Sequence, residues 1–316
     1  MRIQPIKLPF LEYLSWQIVD PYRLTEAEML ARYERGWRYQ RQVDIPGEEL
    51  AWIEQLALDN KSWLGSEFMD FKIDRHVTIH RILAGLNRDV LSECRAYFGG
   101  GTLISLDLGE YRTSNDIDFI CPFGADYSKL RRLINERTPQ VLLRDDSNVE
   151  ISRITIDQYG IRMGIVANGV TIKTEIIAEA GFELDRPRLP SWSPVECLSI
   201  SDCFTSKLLA NADRYNDRSI QARDLIDLAH LRLASPIPTS ATVKAEAAYY
   251  RAIPALTDAL IQFQRDRDWR FDCYEQLNIS QCDRSRTIDG IDLLALDFGL
   301  SLTDRTIAES GDLGGH

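Results

Sequence analysis

GGGTLISLDLGEYRTSNDIDFIC, residues 99–121, is the stretch on which the fold turns. It follows a short apolar strand predicted over Cys94–Phe98. It contains a glycine turn, a short helix over Leu103–Leu108 and a second strand over Asp116–Cys121. A strand that turns through glycine into a helix start places backbone N–H groups at a positive helix end, a seat for phosphate oxygens. Glycine serves where backbone must approach a ligand with no side chain between them. Three glycines alone equally describe a tight turn. No Gly-Lys-Ser/Thr follows, which excludes a Walker A loop.

Asp116-Ile117-Asp118 adds chemistry to the turn. On a strand, residues i and i+2 share a face with their Cα atoms about 6.5–7 Å apart. Two carboxylates ~6 Å apart repel by about 3 kcal/mol at an effective dielectric of roughly 20. Phe119 and Ile120 mark the strand as partly buried, so water relieves little of that. A hard divalent cation does, and Mg²⁺ characteristically takes one or two carboxylates plus substrate phosphates. An isolated D-x-D also fits a strand end dipping into water. This pair follows the glycine turn and is not isolated.

A third acid is expected on a neighbouring strand, to hold a second cation or take the proton of an attacking group. Glu175 in TIKTEII fits, with Ile176 and Ile177 continuing a buried strand around it. Lys173 lies on the same face, so a surface Lys–Glu ladder is the competing reading, and Asp157 is the reserve candidate. Farther along, Lys207, Asn211, Arg214 and Arg218 fall at i, i+4, i+7 and i+11, one polar stripe on a helix. Arg223-Asp224-x-x-Asp227 puts two acids three apart on one face of the next helix, with Leu225, Ile226 and Leu228 around them. Solvated helix faces carry such charges too, but these acids sit among apolar neighbours. Lys207 and Arg223 suit contact with a triphosphate or base, and Asp224 suits orienting Lys207 or an acceptor.

Outward from this centre the chain divides in three. Residues 1–73 read as a helical extension: Thr25-Glu-Ala-Glu28 is a capping box, with Met29, Tyr33 and Trp37 following at helical spacing. A second helix is predicted over Glu48–Trp63. Residues 74–190 open on a helix over Asp74–Glu93. A helix over Ser128–Arg137 comes next, then three alternating strands between Val149 and Ala178. The strands are separated at Gln158-Tyr159-Gly160 and at Asn168-Gly169, the strongest short hairpin signal. Arg186–Pro190 reads as a linker. Residues 191–316 are helical patterns alone, among them Ser199–Tyr215 and Ser219–Leu233, with a polar tail from Glu309. The class is α+β: a small mixed sheet flanked by helices, an all-helical C-terminal half and a helical N-terminal extension.

Composition narrows the setting. The 316 residues carry 37 Lys and Arg against 48 Asp and Glu, a net charge of −11 that excludes a general nucleic-acid coat. Arg32, Arg35, Arg38 and Arg41 alternate with Tyr33, Trp37 and Tyr39. Their spacing spirals around a helix and favours a solvated surface over an RNA-stacking patch. The six cysteines show no C-x-x-C spacing, and Cys94 and Cys121 read as small core residues. His76 and His80 lie one turn apart with no zincin Glu between them, which favours a buried helix face over a metal site. No apolar run reaches the ~18 residues of a membrane span. A cytoplasmic protein is expected.

The set GGT…DIDF, a later strand acid, then KLLA…R…ARDLIDL resembles the AbiEii/AbiGii-type nucleotidyltransferase toxins of type IV toxin–antitoxin systems, over roughly residues 75–235. The resemblance implies a nucleotidyltransferase fold of the DNA polymerase β superfamily, Mg²⁺, an NTP substrate, a cognate antitoxin and tRNA as an acceptor. Carried onto this chain, Gly100, Gly101 and Thr102 hold phosphate and Asp116 and Asp118 bind metal. Lys207, Arg223 and Asp224 match the later motifs, with Asp227 beside them. Where the family often shows Arg-x-Lys-Asp, this chain has Gln221-Ala-Arg-Asp224. A protein or small-molecule acceptor, and a silent nucleotide-binding module, are the competing readings.

Overall fold

Five strands, β1 (Tyr97–Gly99), β2 (Ile117–Pro122), β3 (Glu150–Ile156), β4 (Gly160–Ala167) and β5 (Val170–Glu179), form one mixed sheet in the order β1-β2-β5-β4-β3. The β2–β5 pair is parallel and the other three are antiparallel. The computed structural model describes residues 4–310 except 61, 63, 66–67 and 69–70. Asn168 and Gly169 both lie in the left-handed region (φ 51° and 77°), so the β4–β5 turn is the two-residue hairpin their sequence predicts. Register then aligns Asp118 of β2 with Gly99 of β1 on one side and Glu175 of β5 on the other. The acid therefore sits between β1 and β5, paired across strands with the residue that begins the glycine turn.

Helices α1 (Pro9–Leu14), α2 (Glu26–Gly36) and α3 (Gly47–Asp59) pack around their own core, which includes Phe10, Met29, Tyr33, Trp37, Ile53 and Leu56. The Thr25–Glu28 capping box starts α2 as predicted. Glu49, an acid on the inner face of α3, is fully buried. It accepts from the N–H groups of Phe10 and Leu11 at the start of α1, at 3.0 and 2.9 Å, and from the Tyr33 hydroxyl at 2.9 Å. Of the arginines interleaved with these aromatics, the side chains of Arg38 and Arg41 lie outside the described ones.

Helices α4 (Asp74–Gly85), α5 (Arg88–Glu93), α6 (Gly100–Asp107) and α7 (Ala125–Arg137) flank the sheet. They are followed after β5 by α8 (Ile200–Arg214), α9 (Arg223–Ala234), α10 (Thr239–Ala248), α11 (Ala252–Arg265), α12 (Arg267–Gln276) and α13 (Gln281–Asp297). A single apolar core runs from Ile79 to Leu294, through the sheet and into these later helices. The stretch expected as a linker is tied to the sheet edge. Phe98 N–H donates to the Glu196 carbonyl, Leu198 N–H donates back to Phe98, and Arg188 pairs with Cys197. No helix among the described residues is long and apolar enough to cross a membrane.

Several elements depart from their sequence expectation for local reasons. The helix expected over Asp74–Glu93 is two: the Asn87 side chain caps α5, and Asn87 N–H is drawn to the Leu142 carbonyl. The strand expected from Cys94 starts only at Tyr97, because Arg95 turns left-handed (φ 51°) at the end of α5. Likewise α9 starts at Arg223 and not at Ser219, after Gln221 and Ala222 both adopt left-handed backbone. Glu309, expected to open the polar tail, is part of the folded core, and residues 311–316 of that tail lie outside the described ones. Glu309 is buried against Arg270, with Nε–Oε1 and Nη2–Oε2 contacts of 2.6 and 3.0 Å. Cys94 and Cys121 are core residues, as expected.

Candidate active site

The glycine turn packs directly on the acid strand. Gly100 has φ +69°, and a Cβ added there would stand 2.4 Å from Asp118 Oδ2. At Gly101 an added Cβ would meet Arg112 Nη2 at 2.1 Å and Asp227 Oδ2 at 3.0 Å. Each glycine is needed, the first for both conformation and approach, the second for approach alone. Asp116 lies one residue before β2. It is held there by Thr102, whose hydroxyl donates to the Asp116 carbonyl at 2.5 Å and lies 2.7 Å from Ser114 Oγ. Thr102, expected among the phosphate ligands, thus has its buried hydroxyl engaged with the acid loop.

Behind the turn stands a buried charge cluster. Arg112 grips Asp227 through Nε–Oδ1 and Nη2–Oδ2 bonds of 2.6 and 2.8 Å, and the Tyr111 hydroxyl donates to Asp227 Oδ1 at 2.6 Å. Lys207 Nζ bridges Asp227 Oδ2 and Asp224 Oδ1 at 2.6 and 2.8 Å, and Arg214 closes on Asp224 with bonds of 2.7 and 3.0 Å. Burial alone would raise the carboxyl pKa values. At Asp224 the neighbouring Lys207 and Arg214 outweigh it and hold the carboxyl well below its usual range, and at Asp227 Arg112 and Lys207 outweigh it and lower the carboxyl. Burial opposes the charge on Lys207, but Asp224 and Asp227 keep the ammonium charged. Three cations against two carboxylates leave the cluster with one net positive charge.

Asp118 behaves oppositely. Burial pushes its carboxyl up, Lys207 opposes that, and Asp116 and Glu175 add to the rise. Among the described residues no group donates a hydrogen bond to the side chain of Asp116 or Asp118. Two acids that repel, lack donors and flank a phosphate-type turn fit a hard divalent cation completed by substrate oxygens. No group of three or more His, Cys, Asp or Glu gathers as a ready-made cage among the described residues, so protein ligands alone do not complete a coordination shell.

These groups line a cavity of about 210 Å³. Its lining includes Gly101, Asp116, Asp118, Lys207, Arg214, Gln221 and Arg223, together with Gln276–Asn278. Arg223 has no ion-pair partner among the described residues. Glu175 pairs in register with Asp118, but its carboxylate is bound by Lys173 Nζ at 2.6 Å and Arg162 Nε at 3.2 Å, the ladder its neighbours suggested. Asp157 serves the β3–β4 turn, accepting from Tyr159 N–H, Gly160 N–H and Arg162. Arg218 leaves the stripe for Asp266 and the Trp269 ring, and Asn211 is buried. His76 and His80 are both buried on α4, as expected. A larger groove of about 820 Å³, bounded by Glu34, Trp37, Arg81 and Asp146, is separate from all of this chemistry.

Arg112 and Tyr111 went unanticipated. They lie in the loop between glycine turn and acids, where no periodicity marks them, and only tertiary contact with α9 reveals their task. Tyr111 also stacks on His230 at 3.6 Å with rings 8° apart, and His230 Nε2 lies 3.0 Å from Thr287 Oγ1 of α13. Burial pushes the His230 pKa down to about 3.

Residues 81–279 match the family model described as nucleotidyl transferase AbiEii toxin of type IV toxin–antitoxin systems, and the chain belongs to that family. A solved candidate nucleotidyltransferase from H. pylori is similar at 16% identity and a TM-score of 0.43, covering 72% of this chain and 95% of its own. JHP933 from Helicobacter pylori is similar at 17% identity and 0.40, covering 66% and 86%. No curated protein matches the chain.

Proposed function

We propose that the protein transfers a nucleoside monophosphate from an NTP, with Mg²⁺, to an acceptor hydroxyl on tRNA, and that growth arrest follows. In this reading the Gly100–Gly101 turn, Lys207 and Arg223 receive the triphosphate. Asp116 and Asp118 would hold the cation, whose charge would offset that of the phosphates. The acceptor oxygen bonds to the α-phosphorus as the α–β bridging P–O bond breaks, and pyrophosphate leaves with that electron pair. Glu175, released from Lys173 and Arg162, takes the acceptor proton. Asp224 and Asp227 keep Lys207 charged and fixed, and Thr102 fastens Asp116. Positioning and electrostatics carry most of the rate in phosphoryl-type transfer.

The observation that carries this reading is the approach of Gly100 to Asp118, which supports an anion seat and a cation seat sharing one wall. The test is to incubate purified protein with each labelled NTP, Mg²⁺ and total tRNA. Label in tRNA is expected, and it should vanish in Asp116→Ala/Asp118→Ala. Label in protein instead would move the acceptor. Unchanged toxicity of the double variant, with no labelling by either form, would leave a binding module. A cognate antitoxin is part of the proposal, checked by rescue of growth on co-expression of a neighbouring gene.

A further inference from the structure

The segment Ser114–Asp116, which carries the first acid of the pair, is held at four successive points. Ser114 N–H donates to His76 Nε2 at 3.0 Å, Ser114 Oγ lies 2.7 Å from Thr102 Oγ1, the Asn115 carbonyl accepts from Arg75 Nη2 at 3.2 Å, and the Asp116 carbonyl accepts from Thr102 at 2.5 Å. Two of the four come from the first turn of α4, in a part of the sequence that no catalytic motif covers.

The His76 ring is fixed from behind. Its Nδ1 lies 2.8 Å from Glu110 Oε1, and the ring is fully buried. The Glu110 carboxylate also accepts from Lys72 N–H at 2.6 Å and Ile73 N–H at 3.2 Å, so it caps the start of α4 as well. An ionised carboxylate only accepts, so Nδ1 carries the proton. Nε2 is then the bare nitrogen, which is what an incoming amide N–H requires. Tautomer and ring plane are set by one contact, and the backbone of the acid loop is set by the next. Carboxylate–imidazole pairs orient metal ligands in the same way when the imidazole is itself a ligand. Here the imidazole would act one step farther back, through the main chain.

We propose that the first turn of α4, through Glu110-oriented His76 and through Arg75, positions Asp116 for cation binding. His76 touches neither substrate nor cation; it is a positioning residue. The inference rests on Asp116 as a metal ligand, so the experiment includes a variant that tests that premise separately.

Mn²⁺ affinity is measured by the loss of its free EPR signal in the presence of a non-hydrolysable NTP analogue. Affinity for the analogue without metal, the thermal melt, and amide exchange over residues 114–116 are measured alongside. His76→Ala is expected to weaken Mn²⁺ binding about 10- to 100-fold, the usual range for losing a group that orients a ligand. Analogue affinity without metal should be unchanged and exchange at 114–116 faster. His76→Gln, which keeps one donor and one acceptor, should recover most of the affinity. Arg75→Ala should weaken it by a smaller factor.

Wild-type Mn²⁺ affinity in folded His76→Ala overturns the proposal, as does an equal loss of analogue affinity, or a Gln variant no better than Ala. Should His76→Ala fail to fold, Arg75→Ala decides, and wild-type affinity there overturns it. If Asp116→Ala still binds Mn²⁺ normally, the metal reading itself fails. If Asp116→Ala loses the ion while the α4 variants keep it, only the positioning role fails.

Discussion

Gly100→Ala tests the site at its tightest point. Gly100 sits at φ +69°, where an alanine costs about 1–2 kcal/mol of backbone energy. The added Cβ would stand 2.4 Å from Asp118 Oδ2 and 2.9 Å from Asp118 Cβ, so rotation of the carboxylate alone does not clear it. Restoring ordinary contact displaces the acid or the turn by about 1 Å, a misplacement that costs on the order of a hundredfold in rate. Gly109 provides the control. It has φ +87°, yet a Cβ there would meet nothing within 4 Å, so Gly109→Ala bears the backbone cost without the displacement. Both variants should melt lower, by roughly 2–4 °C per kcal/mol. Pyrophosphate release with NTP and acceptor should fall about a hundredfold in Gly100→Ala and stay within about threefold of wild type in Gly109→Ala. Wild-type turnover in Gly100→Ala, or equal damage in both, would refute the claim that Asp118 and the turn form one seat.

Arg112→Met leaves Asp227 buried without its two-bonded partner and should cost about 3–5 kcal/mol in urea unfolding. Arg112→Met with Asp227→Leu should regain much of that stability but none of the activity. His230 stays neutral in the fold down to about pH 3 because it is buried, whereas the unfolded chain takes up the proton near pH 6.5. Stability is therefore lost as pH falls across that window, by up to a few kcal/mol. Urea midpoints from pH 7 to pH 4 should fall less steeply in His230→Gln, and an identical slope would count against the assignment. Glu49→Gln replaces an acceptor that serves two amides and a hydroxyl with one that donates on one side, at about 1–3 kcal/mol. Hydrogen exchange should quicken over residues 8–64 and not in the core between Ile79 and Leu294.

What was legible in the sequence is what short-range chemistry encodes. The glycine turn, the D-x-D strand, the Asn168-Gly169 hairpin and the Thr25 cap each depend on residues within a few positions of one another. The misplaced boundaries have the same physical origin as the missed residues, namely a distant partner that outweighs local preference. Asn87 ends one helix and caps another because Leu142 draws its N–H. Gln221 and Ala222 stand left-handed in succession, a conformation non-glycine residues adopt only when surrounding contacts impose it, and they do so where Arg223 enters the cavity. Arg112 has no signature in sequence because its meaning lies in Asp227, far along the chain in α9. That pairing also bears on the cation. Arg112, Lys207 and Arg214 are already committed to Asp224 and Asp227, which leaves Arg223 as the cavity's cation without an ion pair among the described residues. A triphosphate brings several negative charges to a wall that already carries Asp116 and Asp118. One guanidinium and one net charge from the cluster are too little to balance them, so a divalent ion, which Asp116 and Asp118 would hold, belongs to the proposed chemistry on charge grounds as well.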